Sequence, residues 1–565
     1  MTYRLRQLLV VPAIAIALAA CSDNNDGGGT GPTPIAAPTN LAVSQLSLTS
    51  LHVSWTAASG ATGYLLQRAS AANPGVFTQI GGGILSGTTF DDTGLTPTQA
   101  YSYRVASASA SDTSAFTTAV TAATGVAAST ISGNITASRT LYADTLYTLS
   151  GYVKVQSGAT LTIEAGTKII GDTLVQGSSL WILRGAKIDA QGTLAAPIVF
   201  TSAKSSGNRK PGDWGGIIII GNGIINRTGS PILTEGGAAG VAEDYSGGTD
   251  NNDNSGILRY VRIEFAGYDI SNGAGQELNT LSSYAVGRGT TYEYIQSMSG
   301  LDDSFEWWGG AVDFRYLVSY EAGDDHYDWT EGFQGRGQFL IALQTQRLNP
   351  APGAGTFASD PRGFEGDGCD PGVSGCTVTA TGTSTPYSNP VFANFTMIGT
   401  GNLAGIPNDG NGGVWRRGTG GYWANGVLSR WKGFGISIRD AWTDTLFTQL
   451  DSLTIASVIL AQNGANFDTT GSAYAAPANW PAADYATLKT YASTVSVDTL
   501  LGISTNPAGL NWAPKAGSPA ATGGTTVPAA KVAGYFGGSW QNTSYLGACD
   551  VVCTWYQGWT VYQIN

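Results

Sequence analysis

The chain has 565 residues, 28 of them basic and 40 acidic, and its net charge of −12 argues against nucleic acid and anionic lipid headgroups as partners while admitting cations. Only 12% of residues are charged, and 78 glycines with abundant Thr, Ser, Val and Tyr make helix scarce and short strands with tight turns the rule. Beyond the first twenty residues no apolar run reaches eighteen residues, so no second membrane span is expected.

Residues 1–20 read as a signal, with Arg4 and Arg6 ahead of an apolar run over 8–17 that is too short to cross a bilayer. The string Leu18-Ala19-Ala20-Cys21 then resembles the lipobox of bacterial lipoproteins. That resemblance implies an acylated amino-terminal Cys21, held in outer-membrane lipid by about 0.8 kcal/mol per buried CH₂. Ser22, where an aspartate would resemble an inner-membrane retention signal, points by analogy to the outer membrane, with the body facing the cell exterior. Residues 21–37, rich in Gly and Pro, read as a flexible tether.

Residues 38–125 alternate in strand fashion. Trp55 suits a buried sandwich tryptophan, 63–68 form the next strand, and Leu95-Thr96-Pro97 precedes Tyr101-Ser102-Tyr103. These landmarks resemble a fibronectin type III domain, which implies that the Tyr101 hydroxyl returns to a nearby backbone group. A spacer role is expected, since no Arg-Gly-Asp triplet occurs in this domain.

Past Val126 the pattern changes to short strands punctuated by glycine: 152–155, 158–167, 180–193, 197–202 and 213–217. Asp302-Asp303-Ser304-Phe305-Glu306-Trp307 recurs as Asp324-Asp325-His326-Tyr327-Asp328-Trp329 at an offset of 22 residues. Tyr294-Ile295 and Tyr316-Leu317 share that offset, and 258–261 read as an earlier copy. A repeat of this length without helical periodicity suits one turn of a β-solenoid. The strings resemble right-handed parallel β-helix (pectin-lyase-like) proteins of bacterial surfaces. The expected fold is all-β, a sandwich followed by a parallel β-helix over 130–545. A helix is predicted over 482–492, outside the column, and 546–565 are predicted to cap it.

Stacked turns place Asp302 near Asp324, Asp303 near Asp325, and Glu306 near Asp328, about 4.8 Å apart. Two readings stand side by side. Asp302, Asp303, Asp324 and Asp325 bind a hard cation, calcium by resemblance to β-helix polysaccharide lyases, or they accept backbone amides at corners. A second acidic string, 250–254, lacks the glycine and glutamate of an EF-hand and reads as a solvated loop.

For catalysis the candidates are Asp303, Glu306, Asp325 and Asp328, with Arg315, Arg336 or Lys432 as a conceivable lyase base. His326 reads as a hydrogen-bonded surface residue. Trp307, Trp308 and Trp329, with Trp415, Trp423, Trp431 and Trp442, offer more rings than a core of small coils requires, so stacking on sugars is expected, first of all at Trp307, Trp308 and Trp329, with core filling as the alternative. Four cysteines besides Cys21 allow three pairings, of which Cys369 with Cys376 and Cys549 with Cys553 clip local loops. Neither nucleotide, haem nor zinc is expected. The favoured function is non-catalytic glycan binding or adhesion, with a calcium-dependent polysaccharide lyase, a glycoside hydrolase and a structural envelope protein as alternatives.

Overall fold

The computed structural model describes residues 35–563 except 236–240, 272–275, 347–348, 402–409 and 471–479, so the signal, Cys21 and most of the tether lie outside the described residues. The chain divides between Gly125 and Val126 into two compact units.

In the first unit, strands Thr39–Ser47, Ser50–Thr56 and Thr89–Thr93 form one antiparallel sheet. Gly63–Ser70, Thr78–Leu85, Ala100–Ala108 and Val120–Ala123 form the other. Period-two alternation sends Leu51, Val53 and Trp55 inward from one sheet and Tyr101, Tyr103 and Val105 from the other, and all six are buried. The Thr96 N–H donates to the Tyr101 hydroxyl at 3.1 Å, which makes the tyrosine corner of a fibronectin type III sandwich.

The second unit is one long parallel sheet wound into a column. Each central turn supplies a four-residue strand and then a longer one. Leu281–Tyr284, Phe305–Trp308, Tyr327–Thr330, Phe364–Asp367 and Gly413–Arg416 lie side by side on one face. The repeat read from the sequence is one turn, because Phe305 pairs with Tyr327 and Trp307 with Trp329. The longer strands, among them Thr291–Met298, Asp313–Tyr320 and Arg336–Leu343, bend where one residue turns left-handed: Tyr294 at φ 54°, Tyr316 at 60° and Phe339 at 64°. Such a conformation costs a non-glycine residue roughly 1–2 kcal/mol. At the bend the rings stack in file, Tyr260 on Tyr294 at 4.3 Å, Tyr294 on Tyr316 at 4.5 Å and Tyr316 on Phe339 at 5.0 Å, and this contact offsets some of that cost.

The interior changes along the axis. Early turns bury aliphatic chains such as Leu161, Ile163, Ile188 and Ile217, whereas central turns bury Phe305, Trp307, Phe314, Tyr327, Trp329, Phe364 and Phe392.

Two expectations fail. Of the helix predicted over 482–492 only Ala482–Tyr485 is helical, and Lys489–Thr490 pairs with Leu453–Ala461 to extend the column. A four-residue helix gains too few internal bonds to propagate against that sheet edge. Two helices went unforeseen, Ala441–Thr448, capped by Asp440, and Val497–Leu501.

The terminal segment does not sit over an open end but, with the chain from 530 that leads into it, runs as a strap down the flank, where the Tyr535 hydroxyl donates to Phe314 O at 2.7 Å and Arg336 Nη1 to Ala533 O at 2.6 Å. The Gly547 N–H donates to Asn425 O at 2.8 Å, the Ala548 N–H to Thr396 Oγ1 at 2.9 Å, and Val561 exchanges two bonds with the Gln296 side chain. The stacked rings at the bend present a continuous apolar stripe, and Trp555 and Trp559 pack against it at Tyr316, Tyr294 and Tyr260. Disulfides join Cys369 to Cys376 and Cys549 to Cys553.

Candidate functional site

Successive side chains on a strand point to opposite faces, so Phe305 and Trp307 enter the core while Glu306 and Trp308 face outward. Glu306 stands in register with Asp328, and Asp328 with Glu365, which sets three carboxylates on three consecutive turns. Just ahead of these strands a second file forms a hydrogen-bond ladder. The Asp303 N–H donates to Asn279 Oδ1 at 3.0 Å, the Asp325 N–H to Asp303 Oδ1 at 2.8 Å, and the Arg362 N–H to Asp325 Oδ1 at 2.5 Å. Asp303 and Asp325 therefore do accept corner amides.

They also crowd other carboxylates. Oxygens of Asp302, Asp303 and Asp324 lie within 4.8 Å of one another, as do those of Asp303, Glu306 and Asp328, and those of Asp325, Asp328 and Glu365. The four aspartates expected to share one cation are thus divided, with Asp325 grouped with Asp328 and Glu365 instead. Asp328 Oδ1 is buried with no hydrogen-bond partner among the described residues, and the donor set is all carboxylate oxygen, which fits a hard divalent cation.

Burial dominates the electrostatics here. It pushes the carboxyls of Asp302, Asp303, Glu306 and Asp328 well above the usual carboxylate range, and neighbouring carboxylates push them further: Glu277 and Asp324 at Asp302, Glu306 at Asp303, Glu235 and Asp328 at Glu306, and Glu365 at Asp328. Asp325 is raised to about 8 by burial and Asp324, against the pull of Arg362. Glu365 also reaches about 8 by burial and Asp325, against Arg362 and Arg416.

Outside the strands Glu306, Asp328 and Glu365 floor a cavity of about 410 Å³. One wall is aromatic, with Trp308 stacked on Tyr284 at 4.0 Å and Tyr284 against Tyr245 at 4.9 Å. The rest is ionic. Arg416 contacts Glu365 at 3.0 Å and Asp367 at 2.8 Å, Arg417 contacts Asp367 at 2.5 Å, and Arg227 contacts Glu331 at 3.1 Å.

Several sequence expectations need correcting. Trp307 and Trp329 are 1% and 0% exposed, so no sugar reaches them; with Trp415, Trp423 and Trp431 they fill the column. Trp308 alone of the three lines the cavity. His326 is not on the surface but fully buried, with its Nδ1 2.5 Å from Ser319 Oγ. Arg315 and Arg336 lie on longer strands, paired with Glu293 and Asp313, and neither they nor Lys432 line the cavity.

The reading from sequence missed Glu365, Asp367, Arg362, Arg416, Arg417, Glu235 and Glu331. One signal was present: Phe364-Glu365-Gly366 repeats the aromatic–acid alternation of Phe305-Glu306-Trp307 and Tyr327-Asp328-Trp329, at a longer spacing of 37 residues.

Comparison with known proteins agrees with this architecture. A pectate-lyase-like β-helix domain model matches residues 133–499, and a fibronectin type III model matches residues 36–123. Among solved structures, the first unit is similar to the FN5 domain of Drosophila Lar, at 25% identity over 16% of this chain and 94% of that chain, with a TM-score of 0.14. It is similar to an Fn3-like protein from Clostridium thermocellum, at 26% identity over 16% and 95% and a TM-score of 0.15. The FN1–FN3 domains of chicken CNTN1 give 19% identity, 16% of this chain, 31% of that chain and a TM-score of 0.15. No curated protein matches the chain.

Proposed function

We propose, for a chain that belongs to the pectate-lyase-like β-helix family, that it is a lipid-anchored outer-membrane protein that holds a saccharide in the acidic cavity without cleaving it. The observation that carries this reading is the cavity itself: an aromatic wall of Trp308, Tyr284 and Tyr245 faces carboxylates and guanidinium groups across about 410 Å³. Rings take the apolar face of a sugar, and ionised groups take its hydroxyls. Anchoring through Cys21 would place this binding face at the cell exterior.

Turnover is less well supported. A β-elimination needs a base, and the cavity arginines are paired: against the opposing effect of burial, Asp367 and Glu365 hold Arg416 in its charged form, above its ordinary range. A calcium-dependent lyase or hydrolase remains the second reading, because Asp303, Glu306 and Asp328 converge within 4.8 Å. In that case calcium would supply positive charge opposite an acidic sugar, and these three residues would hold it.

The test is to pass the purified mature protein over a polysaccharide panel with and without calcium, scoring both retention and products. Retention without new reducing ends or unsaturated sugars is expected. Products that disappear on chelation would replace binding with the lyase reading.

A further inference from the structure

A second cavity, of about 590 Å³, opens elsewhere on the column and has the opposite charge. Its walls come from the loop before Thr291–Met298, from the starts of Asp313–Tyr320 and Arg336–Leu343, and from the strap at 530–537. The ionisable groups among its lining residues are Arg288, Arg336, Lys531 and Asp313. Three cations against one carboxylate leave two positive charges uncompensated, on a chain whose net charge is −12.

The pairing within the cavity is uneven. Asp313 is engaged by Arg336, whose Nε donates to Oδ1 at 2.8 Å and whose Nη2 donates to Oδ2 at 2.5 Å. Arg336 Nη1 donates to Ala533 O at 2.6 Å, which fixes the strap over the site. Arg288 donates from Nη2 to Gln334 O at 2.9 Å, but its Nε stands 4.0 Å from the same carboxylate, beyond hydrogen-bond reach, and is buried without a hydrogen-bond partner among the described residues. Lys531 sits against the face of Tyr422 at 5.6 Å, and Asp451 is the one carboxylate with a marked influence on it.

We infer that this cavity is an oxyanion site, in which Arg288 and Lys531 take a sulfate, phosphate or carboxylate group of a ligand while Arg336, held by Asp313, supplies the rigid wall. A planar guanidinium and an ammonium lining one cavity match the several acceptor oxygens of such a group. Burial lowers the proton affinity of both Arg288 and Lys531, a penalty that a bound anion relieves. The buried Arg288 Nε gains the partner it otherwise lacks. This site is independent of the acidic cavity and of the saccharide reading.

The experiment titrates the full mature protein with inorganic sulfate, inorganic phosphate and glucuronate at low ionic strength, by calorimetry, and locates selenate in soaked crystals. Saturable binding is expected for at least one probe, weakened about tenfold or more by Lys531→Gln or by Arg288→Gln. Lys531 lies on the strap, so its replacement leaves the column intact even where Arg288→Gln does not fold. Selenate between Arg288 and Lys531 supports the assignment. Selenate elsewhere, binding unaffected by Lys531→Gln, or no saturable binding by any probe overturns it.

Discussion

Trp307 and Trp308 are neighbours on one strand and meet opposite surroundings. Trp307 belongs to an interior file of rings, stacked with Phe314 at 4.6 Å and Phe333 at 5.4 Å. Trp308 stands beside carboxylates and guanidinium groups at the wall of a cavity. The same five strands thus carry an apolar column inside and an ionic surface outside, and the difference lies wholly in strand parity. The inner face determines whether the turns stack. The outer face inherits that register and turns it into a row of carboxyls, Glu306, Asp328 and Glu365, about one strand spacing apart.

Four measurements would break or sharpen this contrast. The largest effect of a substitution is expected for Trp329→Ala, which should lower unfolding free energy by about 3–5 kcal/mol in denaturant titration, since it leaves a cavity in the core. An equal loss for Trp308→Ala would remove the distinction between the faces.

A pH effect of at least comparable size is expected. Asp325 and Glu365 are raised from 3.8 and 4.5 to about 8, so the folded protein keeps protons that the unfolded chain releases. Stability from these groups is full below about pH 4, falls as pH rises toward 8, and then levels off, with a slope of up to about 1.4 kcal/mol per pH unit for each proton retained. Melting temperature measured in chelator should therefore be higher at pH 5 than at pH 8, and calcium should narrow the gap if it binds there. A smaller change is expected for Trp308→Ala, which should weaken saccharide binding by about 1 kcal/mol while costing less stability than Trp329→Ala. Smallest, and on the order of 1 kcal/mol or less, is the gain in stability at pH 8 from Asp328→Asn, which removes a carboxyl whose ionisation burial and Glu365 disfavour.

The turn was legible because it repeats: a 22-residue offset shared by Asp302 with Asp324 and by Tyr294 with Tyr316 can only be one revolution of a stacked chain. Strand parity was legible too, since the alternation of Phe305 and Trp307 marks the inner face, yet treating Trp307 and Trp308 alike set that rule aside. The cavity was not legible. Glu365 and Arg416 reach it from turns separated by long insertions, and Arg227, Glu235 and Tyr245 reach it from a loop whose path has no periodicity. The bends were hidden for a different reason. Left-handed backbone is ordinarily announced by glycine, whereas here Tyr294, Tyr316 and Phe339 adopt it because packing along the column outweighs local preference.

The strap along the flank has a mechanical consequence. Turns joined only by their ladder bonds would separate in succession if the two ends of the column were drawn away from each other. Residues 541–561 instead grip Gln338, Asn425, Thr396 and Gln296 on different turns, so a pull along the axis loads these grips together, in shear, before any single turn can peel away.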